Sequence, residues 1–308
     1  MDAMSILTNV RVWIFSGMII GLIFGDIGGE NDATILTIFL MTMMCFSLSG
    51  LKFNKDDLGE YKKKVAIAVI CSSLISFGIT ILVGLFYGKD MWNGWVILAC
   101  VPCAISVVSG TLMAKGDMKL ITLSITAVYI LALVLTPVLS YLLIGDAIDP
   151  LQILKYVLLF ILVPFIVSRI IGKIGIPSNA NHIIINICFF VFVIISFGRC
   201  REILIDYPLI ALAVIAGCAV RIFGVFFASE YGMRKIGVRR DTRIPYIFML
   251  FWKNSGLALT MTMVLFPNEA YAIIPPAISM FVENIFFIFF IWYYEKRMPP
   301  ETAVAGTY

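Results

Sequence analysis

An all-α, polytopic membrane fold of ten transmembrane helices is predicted by three features of the chain: its apolar balance, ten apolar stretches of spanning length, and basic residues that gather on alternate connections. Hydrophobic residues make up 61% and charged residues only 14%, with a mean hydropathy of +1.01. Soluble domains carry roughly a quarter charged residues, so this balance excludes a water-soluble core. The stretches fall near 10–25, 34–51, 65–87, 92–113, 120–144, 151–172, 181–198, 208–229, 244–266 and 271–294. Each is close to the ~20 residues a helix needs to cross ~30 Å of hydrocarbon.

Taken in order, the first stretch holds Arg11, Trp13 and three glycines, Gly17, Gly21 and Gly25. It lacks a small-residue cleavage site and reads as a retained helix, not a signal peptide. The second leads into a connection at 52–64 where Asp56 and Asp57 lie among five lysines, a solvated loop. The third is uninterrupted. The fourth is broken by Pro102-Cys103, followed by Ala104, Ile105 and Ser106, with Ser109-Gly110-Thr111 one turn on. Proline removes a backbone donor and clashes with the preceding turn. The fifth carries Thr122, Ser124 and Thr126, hydroxyls of a kind that commonly bond their own backbone four residues back. The eighth contains Arg221. The ninth is cut by Lys253-Asn254-Ser255-Gly256, and the tenth contains Pro276 and Glu283-Asn284.

Charge placement orients the helices. With the N-terminus inside, seventeen of the 23 Lys and Arg residues fall on the inner side: Arg11, the lysines of 52–64, Lys115, Lys119, Arg169, Lys173, the basic residues of 234–243, Lys296 and Arg297. The outer side holds four (Lys89, Lys155, Arg199 and Arg201), while Arg221 and Lys253 lie within stretches. The positive-inside rule then predicts a multi-pass protein of the plasma (inner) membrane with both termini cytoplasmic. The net charge of +4 belongs to loops beside the lipid bilayer, and no nucleic-acid partner is expected. Six of seven cysteines (Cys45, Cys71, Cys100, Cys103, Cys188, Cys218) sit in apolar stretches as small hydrophobes, and a disulfide framework is not expected. Cys100 and Cys103 form a C-x-x-C without neighbouring His or acidic ligands, so no metal or other cofactor is expected.

Lys253 carries the strongest functional signal. An ammonium at membrane depth costs at least ~2.5–3.5 kcal/mol on insertion scales, so such a residue faces a partner or a watery cavity. Where Asn, Ser and Gly follow, the helix is expected to open and offer backbone dipoles to a ligand, as discontinuous helices do in secondary transporters. The breaks in the fourth and ninth stretches match if 1–145 and 146–308 are two five-helix repeats within a single 1–308 domain, the odd repeat length inverting the second copy. Lys253 also has a structural reading, as a snorkelling side chain or as the partner of Glu283. Arg221 stands between a structural pair and a second anion contact. Asn254 and Asn284 are read as ligand or helix-crossing contacts, because a buried amide without partners costs about 1–3 kcal/mol.

These elements also resemble a family. Leu112-Met113-Ala114-Lys115-Gly116-Asp117 resembles the L-A-K-G-D stretch of the bile acid:sodium symporter family, and Lys253-Asn254-Ser255-Gly256-Leu257-Ala258 resembles its Q-N-S-G-L-A motif. Pro276 with Val282-Glu283-Asn284-Ile285 is similar to that family's W-H-N-I after a proline, and Leu51-Lys52-Phe53 to its end-of-helix pattern. The resemblance implies inverted repeats, a panel of helices 1, 2, 6 and 7, and a core of helices 3–5 and 8–10. It also implies two crossing discontinuous helices and alternating access for a small organic anion. Substrate contacts are then expected from Lys253, Asn254, Ser255, Glu283, Asn284, Pro102, Cys103 and Ser106, and ion coupling from Lys253, Ser109 and Thr126. No enzyme activity is expected, and the assembly is a monomer or homodimer.

The chain departs from the family where sodium ligands stand. Val107-Val108 replaces a Ser-Asn pair, Met249 replaces a glutamate, and Lys253 replaces a glutamine. Sodium wants several oxygens and tolerates no ammonium beside it, so Lys253 is expected to supply the positive charge itself and, being desolvated, to exchange a proton during the cycle. Proton coupling or facilitated exchange is favoured over sodium coupling. Three other readings stay open: a sodium-coupled organic anion symporter with ion sites rebuilt near Ser106, Ser109 and Thr126; an arsenite-type efflux permease, which the chain resembles at Cys103 but not at Gly256, where the acidic residue of those permeases falls; and a membrane sensor or integral-membrane enzyme, whose usual acidic helix-end motifs are missing.

The charge asymmetry makes a topological prediction. Single cysteines introduced in the 230–243 loop should resist an impermeant thiol reagent in intact cells, while positions beside Asp146 should be labelled. The reverse pattern would invert the orientation.

Overall fold

A computed structural model describes residues 10–49, 57–145 and 149–296. Leu51-Lys52-Phe53, Asp56, Asp146 and Arg297 lie outside them. Each of the ten expected stretches contains helix among the described residues. They comprise α1 (Val10–Phe24), α2 (Asp32–Ser49), α3 (Asp57–Ile70), α4 (Ser76–Gly84), α5 (Lys89–Cys100), α6 (Val107–Met113), α7 (Met118–Ile144), α8 (Pro150–Val157), α9 (Val163–Ile174), α10 (Ser178–Asp206), α11 (Pro208–Ala219), α12 (Val225–Lys235), α13 (Arg240–Phe251), α14 (Ser255–Leu265) and α15 (Ile274–Lys296). Among the described residues seven helical runs are long and apolar enough to cross a membrane: Asp32–Ser49, Gly59–Gly84, Met118–Ile144, Leu151–Ile174, Asn179–Arg199, Pro208–Lys235 and Ala270–Tyr294. The first stretch forms a shorter apolar helix. The fourth and ninth fall short because each is split in two, as α5/α6 and α13/α14.

Three of the long runs contain one π-helical turn, at Cys71–Ile75 between α3 and α4, at Leu158–Leu162 between α8 and α9, and at Val220–Gly224 between α11 and α12. Such turns pull carbonyls out of the regular ladder and recur at functional sites. Asp117 and Asp149 cap α7 and α8 by accepting from the backbone N–H groups of Leu120 and Leu151, each at 3.0 Å. The Ala114 to Asp117 element is the turn between α6 and α7. Lys115 is left-handed there (φ 55°), and Gly116 lies so close to Thr111 and Ile244 that a Cβ would meet them at 2.8 and 2.9 Å. The Asp117 N–H donates to Asp241 O at 2.9 Å, tying this turn to the start of α13.

Packing separates the helices into two groups. α10 lies against α1 and α2, and α9 against α2. The second group joins α3 to α7, α5 to α4, α7, α14 and α15, α11 to α15, and α12 to α13. Within the first group backbones approach closely through small residues, as helices in hydrocarbon do. α10 continues past the expected end at 198 because Arg199 pairs with Asp26 at 3.0 Å and Arg201 donates to Leu22 O at 2.9 Å, anchoring its last turns to the α1–α2 connection. A Cβ at Gly21 would lie 2.5 Å from Ile194 O, whereas one at Gly78 would meet nothing within 4 Å. Gly21→Val should therefore force α1 from α10 and cost about 1–3 kcal/mol. Thermal unfolding of the purified protein in detergent should show that loss, with Gly78→Ala as the near-neutral control.

Candidate functional site at the crossing of the broken helices

α5 ends at Cys100 because Val101 is extended (φ −70°, ψ 151°) ahead of Pro102. α13 ends at Phe251, with Trp252 extended (φ −89°, ψ 105°). The two extended segments meet in an antiparallel bridge between Cys103 and Lys253, and the Asn254 N–H donates to Pro102 O at 2.9 Å. Each break leaves carbonyls at one helix end and N–H groups at the other, and hydrocarbon offers them no water. The site consists of the groups that meet this demand.

The C-terminal end of α5 is closed by the Lys253 ammonium, whose Nζ donates to Ala99 O at 2.8 Å and Val101 O at 3.2 Å. A third carbonyl, Ser72 O at 3.4 Å, comes from the π-turn between α3 and α4. The Thr136 hydroxyl donates to Cys100 O at 2.8 Å. The C-terminal end of α13 is closed by a second cation. Arg221, in the π-turn between α11 and α12, donates from Nη1 to Phe251 O at 2.9 Å. Its Nη2 pairs with Glu283 Oε1 at 2.7 Å and donates to Ser279 Oγ at 2.5 Å. Cations at helix C-termini offset the negative end of the peptide dipoles.

Glu283 completes the arrangement from α15. Besides Arg221 it accepts from Ser255 Oγ at 2.7 Å, Ser279 Oγ at 3.1 Å and the Lys253 backbone N–H at 3.4 Å, which places a carboxylate at the positive start of α14. Asn254 caps α14, accepting from the Leu257 N–H at 3.0 Å, and its amide donates to the Tyr129 hydroxyl at 3.1 Å. Lys253, Arg221 and Glu283 are 2%, 1% and 3% exposed. A small cleft of about 20 Å³ adjoins the ammonium, lined in part by Ser72, Ser73, Cys100, Pro102 and Lys253.

The expected residues Pro102, Cys103, Lys253, Asn254, Ser255 and Glu283 are thus brought together. The suggested Lys253–Glu283 ion pair is not formed: the carboxylate pairs with Arg221, and the Lys253 ammonium turns to the carbonyls of α5, only its backbone N–H facing Glu283. Nor does Lys253 snorkel. Cys103 is fully buried, its thiol directed at Phe248 O and Ala104 O at 3.8 Å. Ser106, just before α6, and Ser109 within it stand apart and are exposed. Thr126 donates to Thr122 O and Asn284 to Met280 O, each four residues back on its own helix. Sequence reasoning missed Ser72, Tyr129, Thr136 and Ser279. Of these only Ser279 left a trace, four residues before Glu283 and hence on the same helix face.

Two buried cations, a buried carboxylate and four half-helix ends meet amid long apolar helices, the kind of arrangement that discontinuous helices make in membrane transporters. The chain belongs to the SBF-like CPA transporter family, whose model matches residues 13–280, in keeping with the resemblance to bile acid:sodium symporters. A comparison with curated proteins finds no match.

The network makes a thermodynamic prediction. Arg221→Gln or Glu283→Gln alone leaves a buried charge unpaired and should cost about 3–5 kcal/mol. The double substitution should cost less than the sum of the two, because each partner's desolvation is then relieved together. Unfolding of the four species in one detergent closes the cycle.

Proposed function

We propose that the protein is a secondary active transporter of a small organic anion, working by alternating access, in which the Lys253 ammonium takes the place of a coupling sodium ion. The observation that carries this reading is the cage of carbonyl oxygens from Ser72, Ala99 and Val101 around Nζ. Carbonyl oxygens are the groups that replace the hydration shell of a monovalent cation. A five-helix inverted repeat is supported by paired features: π-turns that begin at Cys71 and Val220, 149 positions apart, and bridge partners Cys103 and Lys253, 150 apart. In this reading α1, α2, α8, α9 and α10 form the panel and the remaining helices the core. α14 packs on α2 and α8, whereas α6 packs on α7, α13 and α15 and leaves Ser106, Ser109 and Leu112 exposed. With both termini cytoplasmic, this arrangement is closed outside and open inside, and the anion enters along α6 towards Asn254 and the crossing.

Proton exchange at Lys253 and facilitated exchange remain the two coupling modes. The ammonium has three N–H donors and three carbonyl acceptors within reach. A neutral amine would leave one carbonyl unmet, so the cage favours a permanently charged Lys253 and with it facilitated exchange.

Uptake of small carboxylates into proteoliposomes under separately imposed sodium and proton gradients tests the proposal. Wild-type flux should be unchanged when sodium is replaced by potassium or choline, and Lys253→Gln should weaken anion binding about tenfold or more. Steep sodium dependence that survives Lys253→Ala would favour ion sites rebuilt near Ser106, Ser109 and Thr126. Flux driven by the proton gradient and lost in Lys253→Gln would make Lys253 the proton carrier.

A further inference from the structure

We infer that the substrate carries a single negative charge and that the protein works chiefly as an exchanger of such monoanions, because the charges buried at the crossing sum to +1. This rests on the transporter reading above and deepens it. The sum follows from geometry. Arg221 is charged at all accessible pH. Lys253 has three carbonyl acceptors for its three N–H groups, which only the ammonium matches. Glu283 lies 2.7 Å from the Arg221 guanidinium and accepts from Ser255, Ser279 and the Lys253 backbone N–H, surroundings that favour the carboxylate.

Arg221 and Glu283 compensate each other at 2.7 Å. Lys253 is met by carbonyl dipoles, which solvate its charge without cancelling it. Among the described residues the other buried ionic groups lie elsewhere: Glu230 and Arg243 form their own bidentate pair at 2.8 and 3.0 Å, and Asp32 stands at the start of α2. The crossing therefore holds one uncompensated positive charge at the depth where such a charge is most costly. A bound monoanion brings the moving core to neutrality. An empty core stays at +1 and a dianion takes it to −1, so both reorient less readily. The loaded core then moves in either direction and the empty one returns slowly, which is the behaviour of an exchanger.

The test uses the full-length protein in proteoliposomes, with 2-oxoisovalerate, phenylpyruvate and cholate as monoanions and succinate and 2-oxoglutarate as dianions. Monoanion uptake should exceed dianion uptake about tenfold or more, and loading the same monoanion inside should accelerate uptake by a similar factor over empty vesicles. Lys253→Met, which lowers the sum to zero, should abolish that acceleration. Glu283→Gln, which raises it to +2, should shift preference towards the dianions. Thermal unfolding of each variant separates a change of selectivity from a loss of fold, and the wild-type comparisons stand whether or not the variants fold. Equal flux of monoanions and dianions, or no effect of internal anion, would overturn the inference while leaving anion transport intact. Absence of flux for every anion would overturn the transport reading and the inference together.

Discussion

Backbone polar groups at a helix end are ordinarily completed by water, and at the middle of a bilayer there is none. Two interrupted helices therefore create four ends that the protein must complete from its own side chains and carbonyls. Lys253 and Thr136 close one, Arg221 closes another, and Asn254 with Glu283 serves the start of α14. The bridge of Cys103 with Lys253 and the N–H of Asn254 to Pro102 O join the two breaks, so neither can be completed without the other. The crossing is a single cooperative unit, and the buried charges belong to it as helix-end partners before they can serve any ligand.

Helices outside the breaks are shaped to the same demand. The π-turn at Cys71–Ile75 lets Ser72 offer a carbonyl sideways to Lys253, which a regular ladder would have consumed. The π-turn at Val220–Gly224 sits where Arg221 must reach both Phe251 O and Glu283. A second tie, from the Asp117 N–H to Asp241 O, joins the turn after α6 to the start of α13, so the two broken helices are linked at their ends as well as at their crossing.

Much of this was legible in the amino-acid order. Composition and stretch length indicate the helices directly, since each apolar stretch has one plausible state in a bilayer. The breaks were visible where a proline or a charge is followed at once by small and polar residues, whereas Pro137 alone sits within the unbroken α7. The partnership of Lys253 was not. In an extended segment the backbone N–H and the side chain of one residue can face different neighbours, and here the N–H faces α15 while the ammonium faces α5. Arg221 advertised itself as a charge within a stretch, but its choice of Glu283 depends on how α11 and α15 pack. Tyr129 and Thr136 gave no signal, because a hydroxyl in an apolar helix becomes specific only when another helix's broken end arrives beside it. Thr126 and Asn284 show the converse, bonding their own helices four residues back.

A tethered cation differs from a bound one in what it lets a transporter do. A diffusing ion that completes the crossing on one side of the membrane and leaves on the other lends its gradient to the substrate. An ammonium fixed to α13 and α14 by its own backbone is present in every state at an effective concentration no free ion matches, and it has no gradient to lend. In this structure it completes the end of α5, which in the proposed reading would suit a core that moves with its ends satisfied. Under the proposed anion-transport reading, the direction of net movement would fall to the gradient of the anion itself, so a lysine in place of a bound ion would change what drives transport while leaving the architecture of the crossing intact.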